Sequence, residues 1–246
     1  MAQLYDAIGL GYGRYRRSDP RIAAAILDAL GDAATVVNVG AGAGSYEPVD
    51  RPVVAVESSG AMISQRPAGS APVVQASATH LPFRDAAFAA ALAVLTVHHW
   101  DDRVRGLAEL ARVARHRLVI VTWDPATSGF WLVEDYFPVI AEIDRQILPP
   151  MEELRQVLGA IEVRPLPVPY DCTDGFLGAY WRRPHAYLDP GVRGAISTFA
   201  KIGDVDSGLT RLRGDLADGT WERRYGHLLG KSELDLGYRL VIVHRT

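Results

Sequence analysis

The chain has 246 residues, of which 48% are hydrophobic, and a formal net charge of −3. It can bury a core as one domain with embellishments, and its charge gives no reason to expect a nucleic-acid partner. The single cysteine, Cys172, excludes an intrachain disulfide and a cysteine-rich metal site. No secretion signal and no apolar stretch of roughly 20 residues is apparent. We therefore expect a cytoplasmic protein, monomeric or homodimeric, without a metal, that acts on a small molecule and binds neither nucleic acid nor membrane.

Strand and helix signals alternate along the first half of the chain. Asp19 predicts the start of a helix that stops at Gly31, and Asp101 or Asp102 predicts the start of another. A further helix is expected near 60–66. Apolar, often β-branched runs predict buried strands at 35–39, 52–56, 72–76, 92–97 and 117–123. Such βα units predict an α/β fold: a Rossmann-like, doubly wound, mostly parallel seven-stranded sheet that binds ligands at the carboxyl ends of its strands.

The alternation of strand and helix signals becomes less regular in the second half of the chain. Helices are predicted over 131–145 and 151–158, and a strand over 162–168. A closing strand over 237–244 is expected to pair antiparallel at the sheet edge. The predicted organisation is an N-terminal lid segment (1–18), a Rossmann-like core (19–170), a mostly helical insertion that forms the acceptor pocket (171–234) and a closing edge strand (235–246).

A glycine-rich loop follows the first predicted strand. Gly40, Gly42 and Gly44 suit a sharp turn where the backbone approaches a ligand closely. Glu57 ends the second strand, where an acid accepts hydrogen bonds from ribose hydroxyls. Together they predict a site for an adenosine-containing ligand, although a plain tight turn and a capping role for Glu57 are the alternative. A nicotinamide dehydrogenase also stays open, although its G-x-G-x-x-G fingerprint would need a glycine at Ser45.

Four segments, in this order, resemble the class I S-adenosylmethionine-dependent methyltransferases. They are GAGAG, the strand that ends in Glu57, SATHLPFRDAAF and LAVLTVHHWDD, and the likeness spans roughly 35–124. The chain is most similar to the small-molecule branch of ubiquinone and menaquinone biosynthesis methyltransferases (methyltransferase type 11). The resemblance implies S-adenosyl-L-methionine as cofactor and in-line methyl transfer to a small metabolite or natural product. It implies cofactor contacts at Gly40, Ala41, Gly42, Glu57, Ser58, Ser77, Ala78 and Leu95.

Two positions depart from the family pattern. The family often has an acid near the adenine, where this chain has Ser77, and an acid after LPF-x-D-x-x-F, where it has Ala89. The hydroxyl of Ser77 can still accept a hydrogen bond from the adenine amine. These departures keep open a third class, a non-catalytic adenosylmethionine-binding regulator or partner subunit, beside the methyltransferase and the NAD-type oxidoreductase.

His98 and His99 follow the fourth predicted strand and are candidate catalytic residues. A histidine can take a proton from a hydroxyl or a protonated amine. Because neighbours on a strand face opposite ways, only one is expected to point into the site, and packing or helix capping is the alternative for both. Trp100 offers an aromatic face to the sulfonium or the acceptor, worth about 0.5–2 kcal/mol, or serves as a core side chain.

Two segments outside the core carry further candidate contacts. The N-terminal stretch interleaves tyrosines with arginines, and we expect it to close over the cofactor with Tyr12 and Arg16 near the methionine carboxylate. A solvated basic segment is the alternative. In the insertion, aromatic and charged residues suit a small, planar or anionic acceptor. The alternative is that they only pack the insertion onto the sheet. The expected substrate contacts, besides Trp100, are Asp171, Asp174, Tyr180, Trp181, Arg182 and Arg183.

Overall fold

A seven-stranded sheet forms the centre of the computed structural model, which describes residues 15–245. Tyr12 therefore lies outside the described residues. In chain order the strands are β1 (Val36–Val39), β2 (Val53–Glu57), β3 (Val73–Gln75), β4 (Phe88–Val94), β5 (Ala114–Trp123), β6 (Glu162–Pro165), β7 (Val168–Pro169), β8 (Glu233–Leu234) and β9 (Tyr238–His244). All except β7 and β8, which pair with each other, belong to the central sheet.

The strand order of the sheet is β3-β2-β1-β4-β5-β9-β6. The pairs from β3 to β5 are parallel, and β9 runs antiparallel to both β5 and β6. The predicted fold class is thus confirmed. The closing strand is antiparallel as expected, but it lies second from the edge, and β6 is the edge strand. Val241 and Val243 of β9 are buried, whereas β6 ends in Pro165, which has no N–H to donate and suits an edge.

Eight α-helices occur within residues 15–245. They are α1 (Pro20–Leu30), α2 (Gly60–Ser64), α3 (Arg103–Val113), α4 (Val139–Ile147), α5 (Met151–Leu158), α6 (Pro190–Gly194), α7 (Asp206–Ala217) and α8 (Thr220–Tyr225). The predicted caps of α1 and α3 are confirmed: the carboxylates of Asp19 and Asp102 accept backbone N–H groups at 3.0 and 2.9 Å. None of the described helices is long and apolar enough to cross a membrane.

The predicted aromatic helix over 131–145 is interrupted. A π-helical turn covers Leu132–Tyr136, the chain breaks at Phe137 with φ −137° and ψ 60°, and α4 begins at Val139. Pro138 explains the break, because proline disfavours helical geometry in the residue before it and offers no N–H to the preceding turn. The break sets the start of α4, which lines the candidate site.

Apolar layers cover both faces of the sheet. On one face Leu107, Leu110 and Leu154 of α3 and α5 are fully buried. On the other, α1 and the insertion pack together, and the ring of Trp131 lies 5.7 Å from that of Tyr187. The insertion therefore sits on one side of the sheet, next to the carboxyl ends of the central strands.

Candidate active site

The glycine loop leaves β1 in a conformation that favours glycine. Gly40 has φ 72° and Gly42 has φ 54°. The N–H groups of Gly40 and Ala41 both donate to the carbonyl of Val56, at 2.8 and 3.0 Å, and bind the loop to β2. A Cβ at Gly40 would collide with the side chain of Thr96. Glycine is thus required there by packing against the loop after β4, a reason that the sequence pattern did not reveal.

Glu57 links the ends of the first two strands. Its Oε2 accepts the N–H of Gly42 at 2.8 Å and its Oε1 accepts the N–H of Ser59 at 2.8 Å. The residue is 9% exposed, and that exposure is toward a cavity. The Ser58 hydroxyl also donates to Oε1, at 3.4 Å, so one of the carboxylate's roughly four acceptor sites remains available for a hydroxyl of a ligand.

A cavity of about 430 Å³ lies at the carboxyl ends of β1, β2 and β4, within the size range of small-molecule sites. The expected cofactor contacts of the described residues all line it, and the structure brings them together. They are Arg16, Gly40, Ala41, Gly42, Glu57, Ser58, Ser77, Ala78 and Leu95. Leu95 adopts φ 50°, an unfavourable conformation for a residue with a Cβ, and such outliers concentrate at functional sites.

Arg16 reaches this cavity from the N-terminal segment. Its Nε donates to Oδ1 of Asp174 at 2.5 Å, and the Tyr46 hydroxyl donates to Oδ2 of the same carboxylate at 2.9 Å. Asp174 is fully buried and does not line the cavity. The structure thus places Asp174, predicted as a substrate contact, away from the cavity: its carboxylate links the N-terminal segment to the insertion and holds Arg16 in place.

The other charged candidates of the insertion also serve its packing. Asp171 pairs with Arg21 at 2.6 Å on the surface. Arg182 lies over the ring of Tyr170, and Arg183 lies over the ring of Tyr180. The structure therefore does not bring Asp171, Arg182 and Arg183, which were predicted as substrate contacts, to the cavity.

The two aromatic candidates have structural contacts as well. Trp181 is fully buried and its Nε1 donates to the carbonyl of Val168 at 2.9 Å. The ring of Tyr180 packs edge-on against Tyr187 at 5.7 Å. Neither Trp181 nor Tyr180 lines the cavity, and the reading of this cluster as a packed aromatic plug is the one the geometry supports. The insertion does reach the cavity, but through Phe176, Leu177 and residues 196–201.

His98 and His99 both line the cavity. They lie on a 3₁₀ turn (Val97–His99) instead of a strand, with ring centroids 3.9 Å apart, so the expected alternation of faces does not apply. Burial, with a smaller contribution from the charges of His99, Lys201 and Arg103, lowers the pKa of His98 well below its ordinary value. Burial likewise lowers the pKa of His99 to about 3. Both imidazoles are neutral at neutral pH and are weak proton acceptors.

Trp100 follows the two histidines and also lines the cavity. Its ring packs on α3 at Gly106, where a Cβ would collide with it. The same residue thus has the packing role and the exposed aromatic face that the sequence left as alternatives.

Many of the cavity-lining residues were not predicted from the sequence, and three polar ones among them are informative. Asn38 lies in β1, Asp144 lies on α4, and Lys201 lies at the end of a 3₁₀ turn (Phe199–Lys201) of the insertion. A signal for Asp144 exists in the sequence, since it stands four residues after Ile140 and four before Leu148, on the apolar face of its helix. No comparable signal marks Lys201.

The family profile described as a methyltransferase domain matches residues 37–121. A putative methyltransferase from an antibiotic biosynthesis pathway of Anabaena variabilis is 32% identical, with 93% of this chain and 98% of that one covered and a TM-score of 0.85. A possible histamine N-methyltransferase from Thermotoga maritima is 15% identical over 100% of both chains, with a TM-score of 0.60. A search of curated proteins found no match.

A third structure is a geranyl diphosphate C-methyltransferase from Streptomyces coelicolor in complex with S-adenosyl-L-homocysteine. It is 16% identical, with 91% of this chain and 78% of that one covered and a TM-score of 0.52. The two distant structures support the fold alone, whereas the Anabaena relative and the family profile define the class. The chain belongs to the class I S-adenosylmethionine-dependent methyltransferases, and its cofactor is S-adenosyl-L-methionine. No comparison favours a nicotinamide oxidoreductase or a non-catalytic binding protein.

The cavity fits this cofactor chemically. Glu57 keeps an acceptor site on its carboxylate for a hydroxyl, and the guanidinium of Arg16, which is paired with Asp174, also lines the cavity. Oδ1 of Asn38 is buried and has no hydrogen-bond partner among the described residues, so it offers a further polar contact to a ligand. Polar groups on three sides of one cavity suit a nucleoside joined to an amino acid.

Proposed function

We propose that this methyltransferase transfers the methyl group to a small-molecule acceptor that binds in the same cavity as the cofactor. The observation that carries the proposal is the composition of the cavity wall. One side comes from the loops after β1, β2, β3 and β4. The other comes from α4 and from the insertion, which packs over the carboxyl ends of the strands.

The cofactor side supplies orientation. With the cofactor bound, the glycine loop and Glu57 would hold its nucleoside end, Ser77 and Ala78 would contact the adenine, and Arg16 would contact the carboxylate. When bound, the sulfonium supplies an electrophilic methyl group, and in-line attack needs a nucleophile about 3–3.5 Å from the methyl carbon. Positioning of both ligands by the cavity is the main contribution that the protein has to make.

The acceptor side is lined by both apolar and charged residues. Phe176, Leu177 and Ile196 are apolar, and Lys201 and Asp144 are charged. A cavity of about 430 Å³ that also holds the cofactor leaves room for a small acceptor only. The 32% identity to a putative methyltransferase of an antibiotic biosynthesis pathway supports a metabolite or natural-product acceptor.

The test is parallel calorimetric titration with S-adenosylmethionine, S-adenosylhomocysteine and NAD, followed by a screen of small acceptors in which S-adenosylhomocysteine is measured as product. We expect micromolar binding of the two adenosyl compounds, no binding of NAD, and product with at least one small acceptor. Binding of NAD alone would support the oxidoreductase instead. Product with a protein or nucleic-acid acceptor and with no small molecule would contradict the proposal.

A further inference from the structure

Asp144 occupies an unusual position for a carboxylate. It stands on α4 between Ile140 and Leu148, at the spacing that faces a helix toward the core. The residue is only 4% exposed, and it lines the cavity together with Ile147 and Leu148 of the same segment. An apolar residue would satisfy the packing at this position, so packing alone does not account for a carboxylate there.

Within residues 15–245 the Asp144 carboxylate has no hydrogen-bond donor. Among the described residues no hydrogen bond to the Asp144 side chain is found, and no cation lies within the 4.0 Å of an ion pair. Lys201 is close enough to act on it electrostatically, and it also lines the cavity. Burying a carboxylate without a donor costs several kcal/mol, which is why buried polar groups are almost always paired. A ligand group that donates a hydrogen bond would supply the missing partner.

The charges around the cavity suit proton transfer at Asp144. Burial raises the pKa of Asp144 to about 7, and the nearby Lys201 limits the rise. Other titratable groups line the same cavity: burial lowers the pKa values of His98 and His99 and raises that of Tyr238. Arg16, Tyr46, Glu57 and Asp101 line it as well. A proton acceptor works best when its pKa lies near the working pH.

We propose that Asp144 binds the nucleophilic group of the acceptor and takes its proton, and hence that the acceptor is a small hydroxyl or amine compound. The inference rests on the proposed function and names its substrate class. A lone pair of the acceptor oxygen or nitrogen forms the new bond to the methyl carbon, and the carbon–sulfur pair passes to sulfur, which becomes a neutral thioether. The acceptor proton passes to a carboxylate oxygen of Asp144 and from there to solvent.

The first experiment compares the wild type, Asp144→Asn and Glu142→Gln, an exposed acid on the same helix, by thermal unfolding at pH 5.5 and pH 8.5. Because burial raises the pKa of Asp144 from 3.8 to about 7, the carboxylate destabilises the fold increasingly between about pH 4 and pH 7, and fully above that range. Asp144→Asn should therefore raise Tm at pH 8.5, by about 5 °C, and by about half as much at pH 5.5. Glu142→Gln should leave Tm unchanged at both. A lower Tm for Asp144→Asn at pH 8.5 would mean that the protein itself satisfies the carboxylate, and would overturn the proposal.

The second experiment measures binding to the protein saturated with S-adenosylhomocysteine, using phenol, benzylamine and toluene as probes. Phenol or benzylamine should bind the wild type and Glu142→Gln at least about tenfold more tightly than Asp144→Asn. Toluene, which has no donor, should bind all three alike. Equal affinity of the donor probes for wild type and Asp144→Asn, or no binding of either probe, would contradict the proposal.

The third experiment follows methyl transfer from S-adenosylmethionine to phenol and benzylamine across pH. In the wild type kcat should rise through an ionisation near pH 7, and Asp144→Asn should lose that ionisation and at least about 100-fold in kcat. The same profile and kcat in both proteins, or no transfer to either acceptor, would overturn the assignment. Titration with S-adenosylhomocysteine separates the two failures: a wild type that does not bind it refutes the proposed function, whereas normal binding by both proteins confines the failure to Asp144.

Discussion

The carboxylate of Glu57 accepts the backbone N–H of Gly42 at 2.8 Å, so the acid that ends β2 also holds the glycine loop that ends β1. The two parts of the cofactor motif, fifteen residues apart in the chain, form one hydrogen-bonded unit. Loss of the acid would therefore affect the ligand and the loop together.

Glu57→Ala is expected to weaken binding of S-adenosylhomocysteine by about 10- to 150-fold. The loss corresponds to the roughly 1.5–3 kcal/mol of a hydrogen bond to a charged group, and the N–H groups of Gly42 and Ser59 also lose their acceptor. Calorimetric titration provides the measurement, with the exposed Glu152→Gln as control. An affinity equal to that of the wild type would remove Glu57 from the cofactor site.

Gly40→Ala is expected to lower the free energy of unfolding by about 1–3 kcal/mol and to reduce cofactor affinity. The new Cβ would meet Thr96, and a positive φ of 72° is unfavourable for alanine. Urea unfolding with and without S-adenosylhomocysteine would measure both effects. Gly214→Ala on α7, where nothing lies near the added carbon, should leave stability unchanged or increase it. Similar losses for both variants would argue against a special role of the loop.

Asp174→Asn is expected to cost about 3 kcal/mol of unfolding free energy, because it breaks a buried ion pair with Arg16 and weakens the bond from Tyr46. The matched surface pair is Asp171 with Arg21, whose side chains are 49% and 48% exposed. Asp171→Asn should cost less than about 1 kcal/mol. The test is urea unfolding of the two variants. If both lose the same amount, the proposed link between the N-terminal segment and the insertion contributes little.

Acid stability should depend on Asp19. Burial by itself raises the pKa of Asp19. Hydrogen bonds from the side chain of Arg21 and from the backbone N–H groups of Thr173 and Arg21 have a larger combined effect, and the pKa falls from 3.8 to about 2. Since the folded-state pKa is depressed, this stabilisation is complete above about pH 5 and is lost as the pH falls toward 2.

Between pH 5 and pH 3 the wild type should therefore lose about 1 kcal/mol of unfolding free energy through this group. Asp19→Asn should show a shallower decline over the same interval, whereas the exposed Asp32→Asn should behave as the wild type does. Urea unfolding at the two pH values gives the slopes. Identical slopes for the wild type and Asp19→Asn would show that this carboxylate makes no contribution.

The sequence by itself determined the fold class and the position of the cofactor motif. Alternating apolar strands and capped helices are local patterns, and parallel strands bring the glycine loop and Glu57 to the same edge of the sheet whatever the rest of the chain does. The helix starts at Asp19 and Asp102 were predictable for the same reason, because a cap involves neighbours in the chain.

Only the tertiary structure decided which residues of the second half face the cavity. Asp174 and Asp144 both have mixed polar and apolar neighbours in the sequence, yet packing pairs the first with Arg16 and leaves the second facing the cavity. Trp181 was expected to contact substrate but is buried in the core of the insertion. Lys201 lines the cavity, although no sequence pattern predicted that position. The direction of such side chains depends on contacts between segments far apart in the chain, and local periodicity in short, irregular helices does not encode them.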